Sequence, residues 1–244
     1  MLLIQQRRWD EARDVCRDVA NLGLPAAGAG LYCMVAGAWW RAGDRAEAIA
    51  LLREAGATIP RQVRIYGDLG TYLAAEQRWE EAIEAYREAV RQNEKAHPAV
   101  NTLAWLLADC EDESLRKPDE AVALARSATE QEPDNGNYWN TLGVAHYRAG
   151  ELEASRTALR KATELNAGRN PTDALFLAMV RWRLGEKAAA REDGERALRL
   201  MKQAPIAVDR DLIRAPLPAE SMRRERARHR AEAAALLGLE TEER

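Results

Sequence analysis

The chain has one phenylalanine, three histidines and three cysteines in 244 residues. With so little Phe and few β-branched side chains it lacks the usual material of a pleated sheet, so an all-β or parallel-sheet fold is excluded. Cys16, Cys33 and Cys110 cannot all pair internally and show no C-x-x-C spacing; this argues against a disulfide framework, a zinc site or a redox motif, and for reduced thiols in a cytoplasmic protein. No apolar run approaches the ~20 residues of a membrane span, and Leu2, Leu3 and Ile4 are too few for a secretory segment. Net charge is −3 with both signs mixed along the chain, which gives no global attraction for nucleic acid or an anionic membrane. There is no HExxH, no G-x-S-x-G and no P-loop, and His97, His146 and His229 lie far apart in sequence. The expectation is a protein that is not an enzyme and carries no metal or cofactor.

What is present is alanine, 47 residues of it, followed by Leu, Glu and Arg: the composition of a chain built of helices. Hydrophobic residues make up 47% against 31% charged, enough to bury a core. Self-comparison then finds a repeat. The segments beginning LYCMVAGAWWRAGDRAEA, IYGDLGTYLAAEQRWEEA and YWNTLGVAHYRAGELEAS share one pattern. Its small residue recurs at Ala12, Ala48, Ala82, Ala121, Ser155 and Ala190, spacings of 36, 34, 39, 34 and 35. Seven positions on stand Val19, Ala55, Ala89, Ala128, Ala162 and Ala197.

Within a unit the apolar residues follow helical spacing, as in Tyr66, Leu69, Gly70 and Leu73, which places them on one stripe. Small residues in the paired columns let two helix axes approach closely, while one pair alone cannot bury both of its faces. Gly43, Gly150 and Gly185 stand where the first helix must end and the chain reverse; Pro60 and Pro133 stop two of the second helices.

These columns resemble the tetratricopeptide repeat family, most fully at Trp139, Leu142, Gly143, Ala145, Leu159 and Ala162. The resemblance implies an all-α fold, a right-handed superhelical solenoid of antiparallel helix pairs. Departures from the pattern are His146 and Arg181 at aromatic positions, Gln77 in place of the inter-helix Gly, and Ala125 and Gly194 where a large apolar residue is usual. Gly194 loses packing and costs about 1 kcal/mol of helix propensity, so the sixth unit is expected to be the loosest. The stretch from Asn101 to Glu151, with its ADCEDESLRKP insertion, also looks like the C-terminal repeat region of certain bacterial serine/threonine kinases, planctomycete ones especially. No kinase signature occurs here.

The expected organisation is a solenoid over 1–203 with a truncated first repeat, a proline-enriched linker over 204–221 with Pro205, Pro216 and Pro218, and a C-terminal capping helix over 222–240. The truncated first unit reads either as the remnant of a longer protein or as a short stub packed against Trp9.

In such a superhelix the first helix of each unit lines the concave face. Its outward stripe includes Trp40 and Arg41, Arg64 and Thr71, Asn101 and Trp105, Asn140, Tyr147 and Arg148, and Trp182 and Arg183. Aromatics with Arg and Asn are interface-type residues. Gly67, Thr71 and Ala74 read as a low spot for one large side chain, and Asn101 and Asn140 as a column able to hold a peptide backbone. For Trp40, Tyr147 and Trp182 the alternative is packing against neighbouring helices. The function expected is a protein-interaction scaffold holding an extended peptide or partner helix. The alternative is a regulatory or substrate-docking portion of a larger signalling protein such as a kinase. Arg223, Arg224, Arg226, Arg228 and Arg230 form the one strong charge run; it lacks interleaved aromatics and reads first as a solvated helix face, with phosphate contact as the weaker option. Self-association is compatible with the sequence.

Overall fold

The computed structural model describes residues 2–59, 61–203 and 219–239. Pro60, residues 204–218 of the expected linker and residue 240 of the expected cap lie outside them. The described residues form thirteen α-helices, one 3-10 turn and no strand. A single turn, α1 (Leu2–Gln5), precedes α2 (Trp9–Asn21). The pairs that follow are α3 (Pro25–Ala42) with α4 (Arg45–Thr58), α5 (Val63–Ala75) with α6 (Trp79–Gln92), and α7 (His97–Asp109) with α8 (Pro118–Gln131). Then come α9 (Gly136–Ala149) with α10 (Leu152–Leu165), α11 (Pro171–Arg183) with α12 (Lys187–Gln203), and finally α13 (Ala219–Leu237). The last helix begins three residues before the expected 222, so 219–221 are helix and not linker.

The helix ends follow local chemistry. Pro25, Pro118 and Pro171 open α3, α8 and α11, where a missing N–H costs nothing. Asn135 and Asn170 cap α9 and α11 by accepting from the N–H of Asn137 and Thr172. Gly43, Gly150 and Gly185 turn the chain in the left-handed region, at φ 97°, 81° and 91°. Gln77 occupies the same region at φ 60° without being glycine, so this turn holds local backbone strain.

The small-residue columns are the contact line between paired helices. Ala12, Ala48, Ala82, Ala121, Ser155 and Ala190 are all buried, as are Ala55, Ala89, Ala128, Ala162 and Ala197. Ser155 is tolerated because its hydroxyl donates to the Gly143 carbonyl at 2.7 Å. A Cβ on Gly70 would lie 2.7 Å from the Tyr86 ring, and one on Gly143 2.6 Å from Leu159 Cγ, so only glycine admits these partners. Each fully buried Leu or Ile, such as Leu52, Ile65, Leu107 and Leu159, contributes about 1.5–3 kcal/mol of hydrophobic stabilisation.

Gly194 departs from expectation. It does not leave a packing defect: a Cβ there would lie 2.4 Å from Leu237 Cδ1, so its bare backbone is the notch that receives α13. Leu237 is fully buried in consequence. Ala125 is likewise fully buried in spite of its small size.

The helices gather into two compact units, one within residues 1–99 and one from Val100 onward that includes α13, where a single solenoid over 1–203 was expected. The division falls inside the longest repeat spacing, from Ala82 to Ala121. After α7 in the second unit, the 3-10 turn Glu113–Leu115 carries the insertion. Asp112 accepts from Ser114 N–H, and Arg116 Nε donates to the Cys110 carbonyl at 2.8 Å.

Candidate functional site

In the first unit, α3 and α5 are the leading helices of their repeats. Trp40 stacks on Tyr72 with ring centroids 4.2 Å apart and an interplanar angle of 11°, and the Arg45 guanidinium lies over the Trp40 ring, 5.5 Å from its centroid. Trp40 is thus both packed and part-exposed. Arg41 is exposed. Arg64 approaches Asp68 at 3.9 Å, too far for a hydrogen bond, and its Nε has no hydrogen-bond partner. Asp68 is 4% exposed and its Oδ1 is also unpartnered. Burial pushes the Asp68 carboxyl up to about 6, while the Cys33 thiol, which donates to it, and the Arg64 charge pull the other way. Burial also raises the Cys33 thiol, and the neighbouring Asp68 adds to this, so Cys33 is no reactive thiolate.

Thr71 does not belong to an accessible surface. It is 2% exposed, its hydroxyl donates to the Gly67 carbonyl at 2.9 Å, and it shares a 2.7 Å hydrogen bond with the Tyr86 hydroxyl. Gly67 and Ala74 are buried as well, so the expected low spot is part of the core.

In the second unit most of the expected stripe is already engaged. Asp109, at the end of α7, has no exposed side-chain surface. It accepts from Arg148 Nε of α9 at 2.9 Å and from Arg228 of α13, and His229 Nε2 lies 2.5 Å from its Oδ2. Arg228 also donates to the Asp109 carbonyl at 2.7 Å. Arg148 reaches on to Glu232 of α13. Burial alone would raise the Asp109 carboxyl; His229, Arg228 and Arg148 reverse this and hold it far below the carboxylate range. Burial would likewise weaken the charge on Arg148, but Glu232 and Asp109 raise it above its ordinary value.

Aromatic contacts complete the seat. His229 is 1% exposed and meets Trp105 of α7 edge-on at 6.0 Å and Phe176 of α11 at 5.1 Å. A helix of this chain therefore sits on the side chains expected to line a groove for another molecule. Arg148 and Trp105 are ligands of α13, and the Arg run is not a uniform solvated face: Arg228 turns inward to Asp109, and Arg224 lies 3.6 Å from Glu220.

Asn140 is also removed from the accessible set. It is 6% exposed and its Nδ2 donates at 2.6 Å to Asp173, whose other oxygen accepts from Asn166. Burial pushes the Asp173 carboxyl up to about 7 against those two hydrogen bonds. Tyr147 is 6% exposed, packed edge-on against Phe176 at 5.6 Å with Arg183 over its ring at 5.1 Å. Trp182 carries Lys187 over its ring at 3.9 Å and stays part-exposed beside the exposed Arg183. Asn101 is part-exposed with an unpartnered buried Oδ1. His146, 5% exposed and 2.5 Å from Glu151 Oε2, is structural.

Asp109, Phe176 and His229 were missed in the sequence. Among the described residues, no helix is long and apolar enough to cross a membrane.

The repeat units define a class: helix-pair arrays in which each pair packs on the next. The tetratricopeptide repeat model matches residues 36–97, 68–114 and 111–174, together more than half the chain. The chain belongs to the tetratricopeptide repeat family. Among solved structures it is similar to MamA from Desulfovibrio magneticus RS-1, with TM-score 0.61 and 18% identity over 72% of this chain and 96% of that one. YrrB, described as a tetratricopeptide repeat protein with an unusual peptide-binding site, has TM-score 0.57 and 15% identity over 75% and 88%. PilF from Pseudomonas aeruginosa has TM-score 0.56 and 19% identity over 94% and 91%. At these identities the likeness is one of fold. No curated protein matches the chain significantly.

Proposed function

We propose that the protein is a non-enzymatic interaction scaffold whose leading helices hold an extended or helical protein segment. The observation that carries this reading is α13. In the second unit the leading helices hold a helix of the same chain through Trp105, Phe176, Asp109 and Arg148, which supports the reading that such surfaces accept a helical segment. In the first unit the leading helices present Arg41 exposed and Trp40 and Arg64 part-exposed. Two arginines beside an aromatic favour a segment with acidic and apolar side chains. Asn101, Trp182 and Arg183 are the remaining accessible members of the stripe in the second unit.

The test is selection of peptides from a displayed library on the purified protein, followed by affinity measurement on variants. Trp40→Ala, Arg41→Glu and Arg64→Glu are each expected to weaken the selected peptides by roughly tenfold or more. Selected peptides that bind all three variants as well as the parent would refute the assignment. Free, buried Cys16, Cys33 and Cys110 support a reducing compartment such as the cytoplasm.

The second reading, a docking region of a larger signalling protein, is favoured by the insertion of the fourth repeat, which is an ordered 3-10 turn pinned by Asp112 and Arg116. A kinase-coding stretch continuous with this one in the genome would support it, and a separate upstream gene would oppose it.

A further inference from the structure

Helix α13 covers more than the end of the array. A closing helix has to shield only the last pair, α11 and α12, and α13 does this: Leu237 enters the notch at Gly194, and His229 meets Phe176 of α11 edge-on at 5.1 Å. It also runs back over two earlier leading helices, whose outward stripes the packing of repeat on repeat does not need. Trp105 of α7 lies 6.0 Å from the His229 ring, Asp109 of α7 accepts from Arg228, and Arg148 of α9 pairs with Glu232 at 2.5 Å. Aromatic and arginine side chains of this kind carry most of the binding energy where proteins meet.

The contact is selective and can be remade by another helix. Among the described side chains of α13, those buried are His229, Ala233, Ala234 and Leu237, with Leu237 the one large aliphatic residue, whereas α4 buries Ile49, Leu51 and Leu52. The rest is ionic. Deleting one member of the cluster strands the others without water, but when the helix leaves as a whole Asp109, Arg148, Arg228 and Glu232 all regain hydration, which offsets much of the lost attraction. A free helix with the same side chains makes the same contacts. The advantage of α13 is attachment alone: α12 ends at Gln203 and α13 begins at Ala219, and a short connection gives an effective concentration on the order of millimolar.

We infer that the face of α7, α9 and α11 beneath α13 is a docking surface for a helix of a partner protein, that this helix carries the pattern of α13, and that α13 is its resident competitor. The pattern is an Arg-His pair, an acid one turn beyond the Arg, and small residues and a leucine in line with the His; His229, Ala233 and Leu237 share one helical face. The inference rests on the reading of the leading helices as a surface for protein segments.

The probe is a blocked, fluorescein-labelled peptide of residues 219–239, titrated by anisotropy against the full chain and against full-chain Leu237→Ala. That change loosens α13 and leaves the face beneath it intact. Binding to Leu237→Ala should be roughly tenfold tighter or more than binding to the parent, because loosening the resident helix raises the fraction of chains whose face is open. Full-chain Arg228→Gln, which weakens α13 at a different contact, should shift affinity in the same direction. A peptide carrying both Arg228→Glu and Leu237→Ala should bind none of the three proteins. Amide exchange should show α7, α9 and α11 as protected in both variants as in the parent. Equal affinity for parent and variants, no saturable binding to either variant, or binding of the altered peptide would each overturn the inference. Loss of protection across α7, α9 and α11 in both variants would do so as well, by making α13 part of the core. A doubled mass of the parent in light scattering, abolished by Leu237→Ala, would assign the face to α13 of a second copy instead. If the inference fails while displayed peptides still depend on Trp40, Arg41 and Arg64, the scaffold reading stands without it.

Discussion

Replacing Asp109 by Asn tests whether charge holds α13 in place. The Asp109 side chain is completely buried, and its partners Arg148, Arg228 and His229 are 13%, 24% and 1% exposed at their side chains. Neutralising it leaves two guanidinium groups facing each other, offset by Glu232, itself 28% exposed, which pairs with Arg148, and by Glu225 of α13, which acts on Arg228. Removing one partner of a buried ionic cluster costs about 3–5 kcal/mol, because the remaining charge stays desolvated. Truncating Leu237, fully buried in the Gly194 notch, should cost about 2–5 kcal/mol by a different route, the loss of packing. The two changes should therefore destabilise α13 to similar extents, and the parent's advantage over Asp109→Asn should persist at high ionic strength because the cluster is buried, whereas the contribution of a surface pair would be screened. Amide hydrogen exchange resolves the effect by helix. In Asp109→Asn, protection across 225–237 should fall toward that of a free helix before that of α9 and α10 changes. Protection of α13 unchanged in Asp109→Asn, or a stability loss below about 1 kcal/mol, would show that the ionic cluster does not hold the helix.

Three further outcomes follow from the packing. Gln77→Gly should raise stability by about 1 kcal/mol in urea unfolding, since Gln77 sits at φ 60° where L side chains are strained. Gly143→Ala should lower stability by about 1–2 kcal/mol net of its helix-propensity gain, because the new methyl meets Leu159 at 2.6 Å with the Leu159 backbone N behind it at 3.2 Å; an unchanged midpoint would mean that α10 yields easily. Asp173, pushed up to about 7, binds its proton more tightly folded than unfolded, so its contribution is complete below the unfolded value and is lost as pH rises through about 7. Its magnitude is about 4 kcal/mol at most. Unfolding free energy in Asp173→Asn should accordingly vary less between pH 4 and 8 than in the parent, and identical pH profiles would refute it. Asp109 works in the opposite sense, with stability lost only on acidification below the ordinary carboxylate range.

The repeat was legible because close helix pairs demand small residues at fixed intervals, and every member of the Ala12-to-Ala190 column is buried. The turns at Gly43, Gly150 and Gly185 were legible for the same local reason, a left-handed backbone. Gln77 keeps the turn without the residue that signals it. The candidate surface was legible only in part. Helical spacing places Arg148 and Trp105 correctly on the leading helices, but what covers them comes from α13, and such a contact leaves no periodic trace. Gly194 was misread for a related reason, since a missing side chain looks the same in sequence whether it leaves a void or receives Leu237. Thr71 and Asn140 turn inward because each has a buried polar partner, Tyr86 and Asp173, on another helix.

The Arg228–Asp109 contact joins residues 119 positions apart and, with Arg148–Glu232 and Trp105–His229, ties α13 back to α9 and α7 in an array whose repeat packing runs mostly between neighbouring helices. Such an array, left to itself, nucleates anywhere and frays from its ends. With α7 tied to α13, the intervening helices share one long-range closure, which slows the search for the folded state and makes their melting a common event. During synthesis, α7 emerges with a buried acid that has no cation from α13 to meet it, and the second unit completes its folding only after α13 has been made.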